Sequence, residues 1–209
     1  PQDIVVNVAE GDIAAAVETA KATVKKVGKI TINLTEGVVY TVNSSIVAPA
    51  ALVINGNGAT IDASALNAPF IALSKEPTAE LINNYYRVDS VMISNVRVDS
   101  IKNSIFYDNG TKYCVVDFTI DNSVLNLATT AVQNDALVSF KQGGAKDFNI
   151  KNSKTGFINL SHNMIFIIIS NDKFFIITIL FNRFIGKIII IFCGVPSSTF
   201  CCGNVEFST

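Results

Sequence analysis

Apolar residues recur along this chain with two periods in succession. Ile13, Val17, Ala20, Val24 and Val27 fall every three or four positions, the spacing of one helix face, with Asp12 placed to cap the start and Gly28 to supply a left-handed stop. The spacing predicts an amphipathic helix over 12–27. Directly afterwards the period drops to two, through Ile30, Ile32 and Leu34, then Val38, Tyr40 and Val42, then Ile46, then Leu52 and Ile54. These read as short strands separated by small polar corners. One helix ahead of many strands does not make βαβ units, which need repeated helical crossovers, so a sandwich, a barrel or a β-solenoid remains.

Internal similarity favours the solenoid. Ile30 and Ile32 align on Leu52 and Ile54 at an offset of 22 residues, and each segment is followed by polar residues and glycine. Val96, Arg97, Val98, Asp99 likewise resembles Phe118, Thr119, Ile120, Asp121 and Phe148, Asn149, Ile150, Lys151. Asn95, Asp117 and Asp147 precede these segments, and Ser100, Asn122 and Asn152 follow them, which suggests stacked corners. Coils of roughly 20 to 30 residues, each buried only by its neighbours, fit such spacing. The first coil of such a stack exposes strand edges and an apolar end, so the helix is expected to turn Ile13, Val17, Ala20 and Val24 inward as a cap. The competing expectation is a surface helix packed on a sandwich.

The helix from Asp12 to Val27, the pair Lys29–Leu34 and Val38–Val42 around Thr35, Glu36 and Gly37, and the segment Leu52–Asp62 follow one another over the first third of the chain. In that order they resemble the amino-terminal end of the pectin-lyase-like superfamily. The segments from Val91 to Ser153 look like its continuing coils, most similar to short β-helix domains in surface lipoproteins of polysaccharide-degrading Bacteroidetes. The resemblance implies an all-β fold, a right-handed parallel β-helix (solenoid) with an amino-terminal capping helix. It also implies a carbohydrate connection, although a fold alone does not confer one. The polygalacturonase-like pattern needs paired aspartates and a Gly-His-Gly segment, whereas the single histidine here, His162, stands between Ser161 and Asn163. No compact calcium-and-base motif of the pectate-lyase kind is matched either, so no catalytic residue is carried over.

At 209 residues with a formal charge of −1, the chain is long enough for one substantial core and carries no broad basic field for nucleic acid. Lys25, Lys26 and Lys29 cluster where the helix is expected to end, where cations suit the dipole. The chain starts at Pro1, which leads to the expectation of a processed secretory protein, extracellular or on an outer-membrane surface, touching the membrane only through an amino-terminal lipid anchor no longer present. Cys114 is the lone cysteine before Cys193, Cys201 and Cys202, so the body is not a disulfide framework.

Several residues are candidates for chemistry. Asp99, Asp117 and Asp121 would converge if their coils stack, and calcium favours such oxygens, but Lys151 at the third equivalent place favours corner hydrogen bonding. No cofactor is therefore expected, with calcium a minor alternative and no metal ligand named. Ser100, Asn122 and Asn152 read as a polar stack at a bend, and Asn55–Gly58 reads as a turn. Arg87 and Arg97 alternate with apolar neighbours and should face solvent, either paired with Asp89 and Asp99 or binding a uronate carboxylate. Tyr85, Tyr86, Tyr107 and Tyr113 offer both an apolar face and a polar tip to a sugar, or simply pack. The ligand-binding set expected is Arg97, Lys102, Tyr107 and Tyr113. The leading function is a non-catalytic domain that binds or presents polysaccharide, with a lyase acting on acidic glycans and a structural spacer as alternatives.

Residues 157–209 form an anomalous Ile/Phe-rich tail after the 1–156 domain: 157–192 holds 13 Ile and 7 Phe but no Ala and no Val. Codons for Ile, Phe, Asn and Lys can be written in A and T alone, whereas every Ala and Val codon begins with G, as a shifted frame in AT-rich sequence would show. Alternatively Phe174–Phe181 and Ile188–Phe192 are last coil strands. A membrane span is disfavoured by Asn182, Arg183 and Lys187.

Overall fold

Asp12 starts the helix as its spacing predicts: its Oδ1 accepts from the Ala14 backbone N–H at 3.0 Å, and its Oδ2 accepts from Asn43 Nδ2 at 2.9 Å. The chain is described by a computed structural model over residues 1–73, 81–82, 85–107, 113–128, 138–140, 144–154, 158–160, 163–170, 173–181 and 188–189. Helix α1 (Ile13–Lys21) is shorter than the predicted 12–27. Thr23 Oγ1 bonds the Ala20 carbonyl at 2.7 Å, and a polar turn replaces the last helical turns. Gly28 is no helix stop. It lies in a strand where a Cβ would come within 2.6 Å of Asp3 Oδ1, the atom that also accepts from the Lys29 backbone N–H at 2.9 Å.

The strands begin with β1 (Gln2–Asn7), β2 (Val27–Asn33), β3 (Val39–Thr41), β4 (Ile46–Ala48), β5 (Ala51–Asp62) and β6 (Ile71–Leu73). Next come β7 (Leu81–Ile82), β8 (Tyr85–Ile101), β9 (Phe106–Tyr107), β10 (Tyr113–Asp121), β11 (Val124–Leu127) and β12 (Val138–Phe140). Last are β13 (Gly144–Lys151), β14 (Ile158–Leu160), β15 (Asn163–Ser170), β16 (Lys173–Phe181) and β17 (Ile188–Ile189). In the first sheet the neighbours run β1, β2, β5, β8, β10, β13, with β3 beside β5 and with β7 and β11 beside β8. In the second they run β4, β6, β9, β12, β14, β15, β16, β17. Pairing is parallel except at β7 with β8 and from β14 onward through β17, where it is antiparallel. The fold is thus predominantly β, with parallel sheets and one short helix. Among the described residues no helix is long and apolar enough to cross a membrane.

The 22-residue offset seen in the sequence is the register of β2 on β5: Ile30 lies against Leu52 and Ile32 against Ile54. The same column continues through Val91, Phe118 and Phe148, and its companion through Ile93, Ile120 and Ile150. Ile30, Ile32, Leu52, Ile54, Val91, Ile93, Phe118 and Ile120 are fully buried, and burying each side chain of this size stabilises by about 1.5–3 kcal/mol. Phe118 meets Phe106 edge-on and Phe148 stacked, each at a ring separation of 5.3 Å. The expected alignment of Val96–Asp99 on Phe118–Asp121 does not hold. Phe118 pairs with Val91, whereas Val96–Asp99 lies against Ala59–Asp62, because the chain bends at Asn95 between two apolar-polar-apolar stretches that look alike.

Helix α1 packs on β1 and β4, the terminal strands of the two sheets, with Ile13, Ala14 and Val17 buried and Ala20 half-buried, while Val24 lies half-buried beyond the helix end. Nearby, the buried Tyr40 hydroxyl donates to the Val8 carbonyl at 2.6 Å and accepts from the Thr35 backbone N–H at 2.8 Å.

Candidate functional site

Strands β5 and β8 run in register as far as Asn55 against Ser94, and both then bend. The bend takes Gly56, Asn57 and Gly58 in β5 but only Asn95 in β8, after which Ala59 lies against Val96. Asn57 (φ 50°), Gly58 (φ 83°) and Asn95 (φ 52°) are all left-handed, a region that asparagine tolerates and glycine enters freely. Gly56 has a different reason to be glycine, since a Cβ there would collide with the Asn95 carbonyl and the Val96 side chain. The following neighbours bend at Asn122 (φ 43°) and Asn152 (φ 50°).

Side chains at this bend satisfy one another. Asn122 Nδ2 donates to Asn95 Oδ1 at 2.6 Å, and Asn152 Nδ2 donates to Asp121 Oδ1 at 3.4 Å. Beneath them Ser123 and Ser153 are buried. Ser123 Oγ accepts from the Val96 backbone N–H at 3.3 Å and donates to the Asp121 carbonyl at 2.7 Å. Ser153 Oγ repeats the pattern, accepting from Ser123 N–H at 3.0 Å and donating to the Lys151 carbonyl at 2.7 Å. The expected polar stack therefore exists with Asn95 where Ser100 was expected; Ser100 bends the chain elsewhere, at φ 62°.

An open hollow of about 630 Å³ lies over this bend, lined by Glu36, Asn57, Asn95, Arg97 and Asn122 together with Gly58, Ala59, Val96 and Val124. Its polar side chains are exposed. Arg97 Nε donates to Asp99 Oδ2 at 2.7 Å, while Asn126 Nδ2 donates to Asp99 Oδ1 at 2.6 Å. The Arg97 hydrogen bond, opposed by burial and reinforced by Asn126, holds the Asp99 carboxyl below the usual carboxylate range. The same bond pushes the Arg97 guanidinium up. Nε alone serves Asp99, so the terminal guanidinium nitrogens have no protein partner among the described residues. Arg87 is tied to Asp89 in the same way, Nε to Oδ1 at 2.7 Å. Both arginines thus make the local pairs that were one of the two arrangements expected.

No family model, curated protein or solved structure matches the chain. The site is therefore read from its own residues. Of the ligand-binding set, Arg97 lines the hollow. Lys102 follows β8 in a bend, half-buried, and is not part of the lining. Tyr107 is half-buried in β9 of the second sheet and engaged with other groups, while Tyr113 opens β10 opposite Tyr86, its side chain outside the described residues. His162 and the three tail cysteines also lie outside the described residues.

Asp117 stands beside Asp147 and Asp121 beside Ser94 and Lys151, so neither stacks on Asp99, which neighbours Asp62. Among the described residues no three His, Cys, Asp or Glu side chains are grouped to hold a metal. Sequence reasoning missed Glu36, Asn57 and Asn95 as lining residues. The signal available for two of them was asparagine at each bend, the residue other than glycine best suited to a left-handed turn.

Proposed function

We propose that the chain is a right-handed parallel β-helix domain of the pectin-lyase-like kind, secreted or displayed at a cell surface. In this reading it binds or presents polysaccharide without cleaving it. Support for the coiled architecture comes from columns of like residues on parallel neighbours, from the amide bonds along Asn7, Asn33 and Asn55, and from the Phe118–Phe148 stack. The observation that carries the function is the hollow itself, where exposed amides of three successive parallel neighbours and one guanidinium line a single open surface. Amide groups both donate and accept, and the guanidinium adds a directional donor fork, a combination suited to sugar hydroxyls.

The test is a glycan array probed with the whole chain and with Arg97→Ala, followed by an ultraviolet assay for unsaturated product on any bound uronate polymer. Binding to at least one polysaccharide is expected, weakened about tenfold by the substitution, since a hydrogen bond from a charged donor is lost. No new absorbance is expected. Silence across the array rejects binding, and rising absorbance replaces it with lyase chemistry.

A further inference from the structure

The hollow carries information about the charge of its ligand. Glu36 brings one exposed carboxylate to the lining. Arg97 brings the one cation among the described lining residues, but Asp99 sits 2.7 Å from its Nε and offsets that charge. Counted over the lining residues and Asp99 the balance is negative, and a ligand carboxylate arriving at Arg97 meets a cation whose charge Asp99 already offsets. Exposed arginine is the residue type that would otherwise single out uronates, through two parallel hydrogen bonds to one carboxylate. Here one edge of the guanidinium is already spent on Asp99.

The hydrogen-bonding inventory points the same way. Asn57 Nδ2 uses one N–H on the Leu34 carbonyl at 2.8 Å and Asn122 Nδ2 uses one on Asn95 Oδ1, which leaves each a second N–H and leaves Asn57 Oδ1 and Asn122 Oδ1 as acceptors. Glu36 adds a carboxylate that only accepts. On the donor side stand Asn95 Nδ2, the terminal nitrogens of Arg97 and the second N–H of Asn57 and Asn122. A ligand for this lining must both donate and accept. Hydroxyl groups do both, whereas carboxylates accept only.

Resting on the polysaccharide reading above, we infer that the ligand is a neutral, hydroxyl-rich glycan chain and not a uronate polymer. Its hydroxyls donate to Glu36, Asn57 and Asn122 and accept from Asn95 and Arg97.

The experiment titrates the whole chain calorimetrically at about 0.15 M salt, where exposed charges more than ~8 Å apart are screened and only local ones discriminate. The neutral probes are mannan, arabinan and mixed-linkage β-glucan, and the acidic probes are polygalacturonate and alginate. At least one neutral polymer is expected to bind about tenfold or more tightly than either uronate, a gap of ~1.4 kcal/mol. Glu36→Ala removes an exposed acceptor and is expected to weaken neutral binding about tenfold with the melting temperature unchanged. Glu36→Lys is expected to narrow or reverse the preference. A uronate bound as tightly as any neutral polymer, or a preference that Glu36→Lys leaves in place, overturns the inference and leaves polysaccharide binding standing. Silence toward all five polymers overturns the binding function itself.

Discussion

Strands β1, β2 and β5 reach Asn7, Asn33 and Asn55 at one level of the first sheet, where the next three neighbours, β8, β10 and β13, carry Ser94, Asp121 and Lys151. In the first group solvent-facing amides bond in line, Asn33 Nδ2 to Asn7 Oδ1 at 2.9 Å and Asn55 Nδ2 to Asn33 Oδ1 at 2.8 Å, over a core of Ile, Val and Leu. In the second the exposed bonds of Asn122 and Asn152 are joined by buried ones on Ser123 and Ser153, and the core column turns aromatic at Phe118 and Phe148. The boundary falls where the bend contracts from Gly56–Gly58 to Asn95. The three-residue bend exposes Asn57 and Gly58, while the tight one buries an N–H, that of Val96, which the Ser123 hydroxyl satisfies. The hollow lies on this boundary, since the shorter bend sets Asn95 and Asn122 beside the longer one.

The largest expected effect separates the two cores. Phe118→Ala removes a ring held between Phe106 and Phe148 and should cost about 3–5 kcal/mol in urea denaturation. A loss near 1 kcal/mol would mean that the aromatic column is not packed as described. Next comes the buried bond: Ser123→Ala strands the Val96 N–H and should cost about 1–3 kcal/mol. Asn33→Ala, in the solvent-facing ladder, should cost only about 0.5–1.5 kcal/mol by the same measurement. Equal losses at Ser123 and Asn33 would erase the contrast between hidden and open bonds.

The smallest effect is read through pH. Asp99 titrates below its ordinary value of 3.8 in the folded chain, so its contribution is full above that value and is lost as pH falls through the folded value. Arg97→Gln should therefore flatten the fall in stability between pH 5 and pH 2, read from melting temperatures at about one-unit steps. An unchanged profile would show that the pair adds nothing to folding.

Much of the strand pattern is legible before any coordinates, and the reasons are local. The offsets Ile30 to Leu52 and Phe118 to Phe148 are true registers because alternation within a short strand fixes which face is buried. Val96 was misaligned because β8 carries two such stretches, and period two does not say on which side of a bend a stretch lies. The helix was read too long because Val24 and Val27 keep its spacing although the chain has already turned, and Gly28 serves a close approach to Asp3 instead of a cap. Arg97 was legible as an exposed residue between buried Val96 and Val98. Glu36 was not, since its place in the lining depends on β3 and β5 lying side by side, with Val39 against Thr60.

The inner column Ile4, Ile30, Leu52, Val91, Phe118, Phe148 is reached after 26, 22, 39, 27 and 30 residues in turn. Connections absorb most of that variation, and a bend within β5 and β8 absorbs the rest. Foreign peptides grafted between β6 and β8, inside the longest interval, should leave the columns intact, whereas deleting one residue inside β10 would turn its downstream apolar side chains outward. The chain thus offers a ruler with fixed marks and elastic gaps, a ready scaffold for displaying inserted loops.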